Sequence, residues 1–397
     1  MARKPLEGLR VIELGQLIAG PFAGKMLAEF GAEVIKIEPP DGGDPLRKWR
    51  KLYKDTSLWW YVQARNKKSV TANLRLAEGQ EIVRRLAREA DVVIENFRPG
   101  TIEKWGLGYD ALCRENPGLI MLRTSGFGQD GPYRSLAGFG AIGESMGGIR
   151  HITGFPDRPP VRPNISIGDS IAALHGVIGV LMALHHRTAN GGKGQVVDVA
   201  LYEAVFNMME STLPEFDLFG VVRERTGSNL TGIVPSNTYL TSDGHHVVIG
   251  ANADSIFKRL MNAIGRMDLA DDPGLADNAG RSQRRDELDQ VIGEWTGRNA
   301  VDRVLKVLAE AQVPSGKIYS IADIVADPQY LARDMIREVT LPDGTTLRVP
   351  GVVPKLSDTP GDLEWVGPAL GEHTDEVLAR IGYSEAEIAA LRDRKAI

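Results

Sequence analysis

Strand-like and helix-like patterns alternate through the first 125 residues, and this alternation constrains the fold more than any other feature of the chain. Four apolar runs predict strands at residues 10–14, 33–37, 91–95 and 119–123. Helical patterns between them predict helices at residues 21–30, 77–89 and 109–115. Strands that alternate with helices predict an α/β fold with a doubly wound parallel sheet.

The loops after the predicted strands form a candidate binding rim, because small ligands bind outside the carboxyl ends of the strands in such sheets. The rim loops follow Leu14, Ile37, Glu95 and Arg123. Three of them, at residues 15–20, 96–100 and 124–128, are glycine-containing turns that present backbone amides.

A second structural unit is predicted where the helical pattern breaks, around residues 214–232. Residues 235–249 are typical of a β-hairpin with its turn at Asp243-Gly244. Amphipathic helices are then predicted at residues 255–264, 283–295 and 300–311, which indicates a smaller α+β domain.

The last part of the chain is predicted to return to the first domain. A proline-rich stretch at residues 349–368 leads to a C-terminal helix that begins near Thr374. The predicted division is a large domain at residues 1–215, a linker and small domain at 216–330, and a returning linker and helix at 331–397.

Charge and composition argue against several partners. The net charge is only −5 and like charges form no long run, so neither nucleic acid nor a membrane is expected as a partner. Cys113 is the single cysteine, which excludes an internal disulfide and fits a cytoplasmic location. The most apolar stretch, residues 171–184, is too short to span a bilayer and is predicted to be a buried helix.

Other enzyme classes lack their motifs. Residues 126–131 and 138–143 match G-x-G-x-x-G, but neither lies between a strand and a helix, so a nicotinamide-dependent dehydrogenase is disfavoured. The motifs H-E-x-x-H and G-x-S-x-G do not occur, so a zinc hydrolase and an α/β-hydrolase have no support. His185-His186 and His245-His246 are interpreted as ordinary histidines rather than metal ligands.

Asp169 stands at the head of an otherwise apolar helical pattern that continues to Leu184. Periodicity alone favours a helix cap, because aspartate accepts hydrogen bonds from the first free amides of a helix. The alternative is a nucleophile, because the positive helix end and its amide donors hold developing oxyanion charge. A carboxylate can attack an activated carbonyl such as a thioester, and the two roles are compatible.

A series of short motifs extends from residue 9 to residue 378. They lie at residues 9–14, 19–21, 31–40, 65–70, 95–100, 168–169, 192–200, 313–316, 326–329 and 370–378. Their content and shared order resemble the class III CoA-transferases of the CaiB/BaiF type, which include formyl-CoA transferase. Because the motifs cover nearly the whole chain, the resemblance is a hypothesis about the entire protein.

The resemblance implies a Rossmann-like large domain with a parallel sheet, a smaller α+β domain and an interlocked homodimer. It implies an acyl-CoA:carboxylate CoA-transferase that moves CoA from an acyl-CoA donor to a small carboxylic acid, with dicarboxylic acids among the candidate acceptors. Coenzyme A is then a substrate, and neither a permanently bound cofactor nor a metal is expected. Asp169 is the expected nucleophile, which forms first a mixed anhydride and then an aspartyl-CoA thioester.

The resemblance also assigns residues to CoA. The expected contacts along the nucleotide and pantetheine are Gln16, Leu17, Ile18, Ala19, Asn96 and Phe97. Basic side chains are expected near the phosphates, with Arg75, Arg98 and Lys104 as candidates.

Alternative functions within the family remain open. Formyl-CoA transferases carry a basic residue where Pro39 stands here and a glycine-rich lid in the smaller domain, and this chain has neither. The α-methylacyl-CoA racemases use a histidine near residues 137–144, a stretch that contains no histidine here. A catalytically inactive CoA-binding relative is a third possibility, which the retained Gly168-Asp169 pair disfavours.

Overall fold

The computed structural model describes residues 4–397. The strands are β1 (Arg10–Glu13), β2 (Glu33–Glu38), β3 (Leu52–Tyr53), β4 (Thr56–Ser57), β5 (Lys67–Thr71), β6 (Val92–Glu95), β7 (Ile120–Ser125), β8 (Val196–Ala200), β9 (Ser236–Leu240), β10 (His246–Gly250), β11 (Ser315–Lys317), β12 (Ile336–Thr340) and β13 (Thr346–Pro350). The helices are α1 (Ala19–Glu29), α2 (Leu58–Gln63), α3 (Ala77–Arg88), α4 (Thr101–Lys104), α5 (Tyr109–Glu115), α6 (Gly140–Met146), α7 (Ile167–Ala189), α8 (Leu201–Phe206), α9 (Thr212–Phe219), α10 (Asp254–Ala263), α11 (Met267–Ala270), α12 (Asn278–Gln283), α13 (Arg285–Gly297), α14 (Val301–Glu310), α15 (Ile321–Ala326), α16 (Pro328–Ala332), α17 (Thr374–Arg380) and α18 (Glu385–Asp393). Short 3₁₀ turns lie at Pro45–Lys48 and Pro273–Leu275.

A six-stranded sheet with the order β5-β2-β1-β6-β7-β8 organises the first part of the chain. Every neighbouring pair in it is parallel. In chain order the strands are third, second, first, fourth, fifth and sixth, which is the doubly wound arrangement of Rossmann-like folds. The strand order reverses between β1 and β6, so the crevice that such sheets offer to ligands opens beside the loops that follow these two strands.

The sheet confirms the predicted parallel α/β fold and adds two strands that the sequence analysis missed. β5 begins with two lysines, and β8 is an edge strand that contains Asp198, so neither forms the apolar run that identified the other four. Lys67 is fully buried, and the carboxylate of Glu13, 2.7 Å from its ammonium group, compensates the buried charge. A charge partner on another strand therefore permits a lysine where the strand pattern calls for an apolar residue.

Helices cover both faces of the sheet, and alternate residues of each strand enter the two cores. On one face α1 and α7 bury Leu27, Val177 and Val180 against β1, β6 and β7. On the other face α3, α5, α17 and α18 pack against the same strands. Val377 and Leu378 of α17 are completely buried there, so α17 contributes to the core on this face of the sheet.

Helix α7 corrects the prediction made for residues 171–184. The helix has 23 residues and extends to Ala189, so the prediction that this stretch is too short to span a bilayer is wrong. By length and composition α7 could cross a membrane, but core helices of soluble proteins can also be this long and apolar. In α7, 39% of the most apolar 18-residue stretch is buried. Only one face is buried, and that face is made of small residues because α7 lies directly on β7: a Cβ at Gly176 would come within 2.9 Å of Leu122 Cδ2.

The chain packs as two compact units. Among the described residues, the first contains 4–149, 163–210 and 331–397, and the second contains 150–162 and 211–330. Residues 150–162 and 211–215, which the sequence analysis placed in the large domain, group with the second unit. The domain boundaries given above remain a prediction.

The second unit contains the predicted hairpin and helices. β9 and β10 are antiparallel, and β11 pairs with β10 on the other side. The helices α10, α13 and α14 bury one face each against this small sheet, around Val247 and Ile249. This unit therefore combines a small antiparallel sheet with helices packed against it.

Candidate functional site

A cleft of about 580 Å³ opens at the carboxyl edge of the parallel sheet. Its walls come from the loops after β1, β2, β5 and β6. The lining residues are Leu14, Gln16, Ile37, Glu38, Pro39, Pro40, Asp41, Ala72, Asn73, Leu74, Arg75, Phe97 and Trp105. The position agrees with the predicted rim, since parallel strands place their C-terminal loops on one edge.

The structure brings some of the predicted CoA contacts to this cleft. Gln16, Arg75 and Phe97 line it. The other predicted contacts are not among its lining residues: they are Leu17, Ile18, Ala19, Asn96, Arg98 and Lys104. Apart from Arg75, the residues of the loop after β5 were not predicted, because β5 had not been recognised as a strand. Trp105 was also missed, because it follows a short helix rather than a rim motif.

Asn96 holds the loop after β1 in place. Its side-chain oxygen accepts a hydrogen bond from the Gln16 amide at 2.8 Å, and its side-chain nitrogen donates to the Gln16 carbonyl at 2.8 Å. Gly15 keeps the space beneath this contact open, because a Cβ there would lie 3.1 Å from Asn96 Oδ1. Asn96 therefore joins the two loops at the strand-order reversal.

Leu17 has a left-handed backbone, with φ of 64°, which is unfavourable for a leucine. The buried carboxylate of Asp44 stabilises this conformation, because both of its oxygens lie 3.1 Å from the Leu17 amide that donates to them. Gln63 fixes the next residue by donating to the Ile18 carbonyl at 3.0 Å. The loop that was predicted to contact CoA is thus held in a single conformation by side chains distant in sequence.

Charged side chains buried below this loop support it. Lys36 Nζ lies 3.0 Å from Glu13 Oε1 and 2.8 Å from Asp44 Oδ2, and it donates to the Gly15 carbonyl at 2.8 Å. Burial alone would lower the pKa of Lys36, but the carboxylates of Asp44 and Glu13 raise it above its usual value. Burial lowers the pKa of Lys67 to about 8, against the opposing effect of Glu13. The sequence analysis did not identify this cluster. The one signal in the sequence was the presence of charged residues, Glu13, Lys36 and Lys67, within strands that become buried.

Two aromatic rings form one wall of the cleft. Phe97 and Trp105 meet edge to face, with ring centroids 5.2 Å apart and planes at 81°. Such a pair presents an apolar surface with a defined shape. Arg75 is exposed on the rim, where its guanidinium is accessible to an anionic group.

Asp169 lies in the first turn of α7 and is partly buried. Ser166 precedes the helix, and Asp169 is its third residue, so the interpretation of Asp169 as the helix cap is wrong. The carboxylate still lies close to the free amides and the positive end of the helix. This position would stabilise negative charge that develops beside the carboxylate.

Gly140, the first residue of α6, contacts the Asp169 carboxylate directly. A Cβ at Gly140 would lie 2.6 Å from Asp169 Cγ and closer still to Oδ2. Gly168 is confined less tightly, since a Cβ there would lie 3.0 Å from Glu144 Cγ and 3.1 Å from the Gly140 carbonyl oxygen. The start of α6 and the start of α7 therefore interlock through two glycines, and the Asp169 carboxylate fills the space that a side chain at 140 would take.

The histidines do not form a metal centre. Across residues 4–397, no three His, Cys, Asp or Glu side chains come together in a way that could hold a metal ion. His175 lies on α7, where Nδ1 is 2.9 Å from the Ile171 carbonyl oxygen. It is thus engaged within its own helix.

Comparison with known proteins places the chain in a family. Residues 6–374 match CoA-transferase family III. The chain is 52% identical over 396 residues to the succinyl-CoA–D-citramalate CoA-transferase of Chloroflexus aurantiacus, covering 99% of this chain and 98% of that protein. It is 44% identical over 397 residues to the alpha subunit of succinyl-CoA–L-malate CoA-transferase of Chloroflexus aurantiacus, covering 99% and 92%. The crystal structure of a CaiB/BaiF family protein from Brucella suis superposes with a TM-score of 0.83 at 37% identity, covering 96% of this chain and all of that one.

The chain belongs to CoA-transferase family III. It is therefore an enzyme that transfers CoA from an acyl-CoA to a carboxylic acid, and the prediction of this reaction is confirmed. CoA thioesters are its substrates. The roles of individual residues stay predictions, which the geometry above makes specific.

Proposed function

We propose that this enzyme transfers CoA from succinyl-CoA to a 2-hydroxydicarboxylic acid, through covalent intermediates on Asp169. The proposed acceptor class rests on the relatives named for D-citramalate and L-malate, which share a 2-hydroxydicarboxylate skeleton. The observation that carries the proposed mechanism is the Asp169 carboxylate, seated against Gly140 in the first turn of α7.

The proposed reaction proceeds by four acyl exchanges without water. The Asp169 carboxylate attacks the thioester carbonyl of succinyl-CoA, and CoA thiolate leaves, which gives a mixed anhydride. The thiolate then attacks the aspartyl carbonyl of this anhydride and expels succinate, which gives an aspartyl-CoA thioester. The acceptor carboxylate attacks that thioester, and the released thiolate attacks the acceptor's carbonyl in the new anhydride. The acceptor leaves as its CoA thioester, and Asp169 is again a carboxylate.

The cleft at the sheet edge is the proposed site for the nucleotide and pantetheine of CoA. Gln16, Phe97 and Trp105 would contact the uncharged parts, and Arg75 would pair with a phosphate. Arg98 and Lys104 are exposed on the segment that carries Phe97 and Trp105, so they are proposed only as long-range attractors of the phosphates. This assignment needs neither a metal nor a bound cofactor.

An acceptor panel tests the proposed function. We expect purified enzyme supplied with succinyl-CoA to form the CoA thioesters of D-citramalate or L-malate at least about tenfold faster than that of acetate. A tenfold preference corresponds to about 1.4 kcal/mol, well within the value of one charge-assisted hydrogen bond to the second carboxylate. The products are separated by liquid chromatography and identified by mass spectrometry, with acceptor-free incubations as the control.

Two outcomes of this assay would contradict the proposal. A preference for formate, oxalate or acetate would overturn the acceptor class. Epimerisation of a 2-methylacyl-CoA in the absence of any free acid would instead indicate a racemase.

We further propose that the enzyme is a homodimer that buries the outer face of α7. Exposed apolar side chains follow this face at helical spacing: Leu174, Ile178, Leu181 and Met182. Phe206, the last residue of α8, and Met208, which follows α8 in the same unit, are exposed as well. An apolar face of this size needs a covering partner, and a second copy of the chain is the one that the family resemblance implies. The cytoplasmic location also stays a prediction.

Size-exclusion chromatography with light-scattering detection tests the dimer. The wild-type protein should have about twice the 43.2 kDa mass of one chain. The double variant Ile178→Asp with Leu181→Asp should shift to one chain mass, because two charges would be buried unpaired. The variant Ala389→Asp, on an exposed position of α18 at the other face of the sheet, is the charge control. A monomeric wild type would contradict the proposal.

A further inference from the structure

We propose that Arg123 is a positioning residue for acyl-CoA, which braces the Phe97–Trp105 wall of the cleft. The inference rests on the proposed assignment of that cleft to CoA. Arg123 lies outside the cleft lining, so its effect on acyl-CoA would pass through the residues it holds.

Arg123 links two elements that neighbour its own strand. It lies near the end of β7, and its side chain is about nine-tenths buried. Its Nε donates to Glu95 Oε1 at 2.7 Å, at the end of β6, and its Nη1 lies 2.8 Å from Glu103 Oε1 on α4. One guanidinium thus connects the two ends of the segment that runs from residue 95 to residue 105.

Both carboxylates are attached to the wall residues. The second carboxylate oxygen of Glu95, Oε2, accepts a hydrogen bond from the Phe97 amide at 2.7 Å. The hydrogen bond from Arg123 to Oε1 therefore orients a carboxylate that also holds Phe97. Trp105 follows Glu103 by two residues, directly after α4. Fixing Glu95 and Glu103 relative to each other therefore fixes the edge-to-face pair that forms the wall.

The charge balance supports an ionic brace. Burial raises the pKa of Glu95 to about 7, against the opposing effect of Arg123. The guanidinium of Arg123 therefore opposes the effect of burial and favours the charged form of this carboxylate. A buried ion pair is weak evidence for a gain in stability, but it does specify one geometry.

A planar guanidinium suits this position better than an ammonium group. It offers several donors in a fixed fork, so two separate nitrogens can reach the two carboxylates at once. If Phe97 and Trp105 are already held in the conformation that binds the ligand, no free energy is lost in ordering them when the ligand binds. Loss of the brace should thus weaken binding of CoA and leave the chemistry at Asp169 unchanged.

CoA affinity tests the inference, with free CoA as the probe in isothermal titration. We expect Arg123→Met to raise the Kd for CoA and the KM for succinyl-CoA about tenfold, which corresponds to about 1.4 kcal/mol. The kcat and the KM for the acceptor acid should stay within about twofold. Arg123→Lys should recover only part of the affinity, because one ammonium group replaces the fork.

Arg187→Met is the matched control. Arg187 lies in the same unit, and its guanidinium pairs with Asp91 at 2.7 Å and donates to the Gly118 carbonyl at 2.8 Å, at the amino end of β6. It is thus a partly buried arginine at the opposite end of the same strand. Its loss should lower thermal stability and leave the Kd for CoA unchanged.

The possible outcomes separate the inference from the proposed function. If wild-type protein binds CoA and Arg123→Met binds it equally well with only a lower Tm, Arg123 has a structural role alone and the inference is wrong. If the wild type binds no CoA in titration yet transfers it, the cleft assignment fails first. If Arg123→Met does not fold, Glu103→Gln is tested in its place, because the Glu103 side chain is 43% exposed and its replacement should not prevent folding. This variant should raise the Kd for CoA severalfold. An unchanged Kd would contradict the proposed role of Arg123.

Discussion

Replacing Asp169 with asparagine is expected to lower kcat for CoA transfer by about 10⁴-fold, because an amide cannot form either covalent intermediate. The KM for succinyl-CoA and the Kd for CoA should change less than about threefold, since the carboxylate acts at the thioester and not at the nucleotide. Asparagine has nearly the same volume, so its fit against Gly140 should keep α6 and α7 in place.

Chemical trapping gives a second measurement for Asp169. Enzyme incubated with succinyl-CoA and then with hydroxylamine should carry a hydroxamate on the peptide that contains Asp169, as mass spectrometry can detect. Glu203→Gln is the control variant, because Glu203 is an exposed carboxylate on α8 in the same unit. The mechanism is wrong if the asparagine variant turns over at the wild-type rate, or if the label lies on another residue.

Replacing Gly140 with alanine is expected to lower kcat about 100-fold while the Kd for CoA stays unchanged. The added methyl group would overlap the Asp169 carboxylate, which must rotate away or push α6 from α7. A displacement of about 1 Å at a reacting group can cost a factor of about 10². Steady-state kinetics and CoA titration on the same preparation measure the two effects separately.

Gly143→Ala separates misplacement of Asp169 from general overpacking. Gly143 lies on the same helix, and its Cβ would lie 2.7 Å from Leu201 Cβ on α8. Both variants should be destabilised by about 1–3 kcal/mol through overpacking, as thermal unfolding would show. Only Gly140→Ala should lose kcat, and equal losses of kcat in both variants would refute a special role for Gly140.

Much of the first unit could be predicted from sequence because four of its strands are built around short apolar runs. β1, β2, β6 and β7 are buried on both faces, so hydrophobicity alone marks them, and their observed bounds differ from the predicted ones by only a residue or two. β5 escaped because Lys67 pairs with Glu13, a partner 54 positions earlier in the chain that becomes its neighbour only when the sheet forms.

Some residues of the candidate site could likewise be identified from the sequence, and others only from the structure. Asp169 and the rim loops were identified from sequence, because a lone acid in an apolar helix and glycine turns after strands are local signals. Asp44 and Arg123 were not assigned roles, because their importance lies in what they hold: the Leu17 amide in one case, and Glu95 and Glu103 in the other. No local pattern encodes such a partnership.

The amino-acid sequence by itself determined the parallel α/β architecture, the family and the acid at the start of the apolar helix, because hydrophobic periodicity and short motifs are properties of neighbouring residues. Tertiary structure alone decided that Asp169 lies inside the helix rather than capping it. It also decided that Gly140 leaves room for its carboxylate and that buried ion pairs hold the walls of the cleft. These features depend on distances between residues far apart in the chain, which exist only after the sheet and helices have packed.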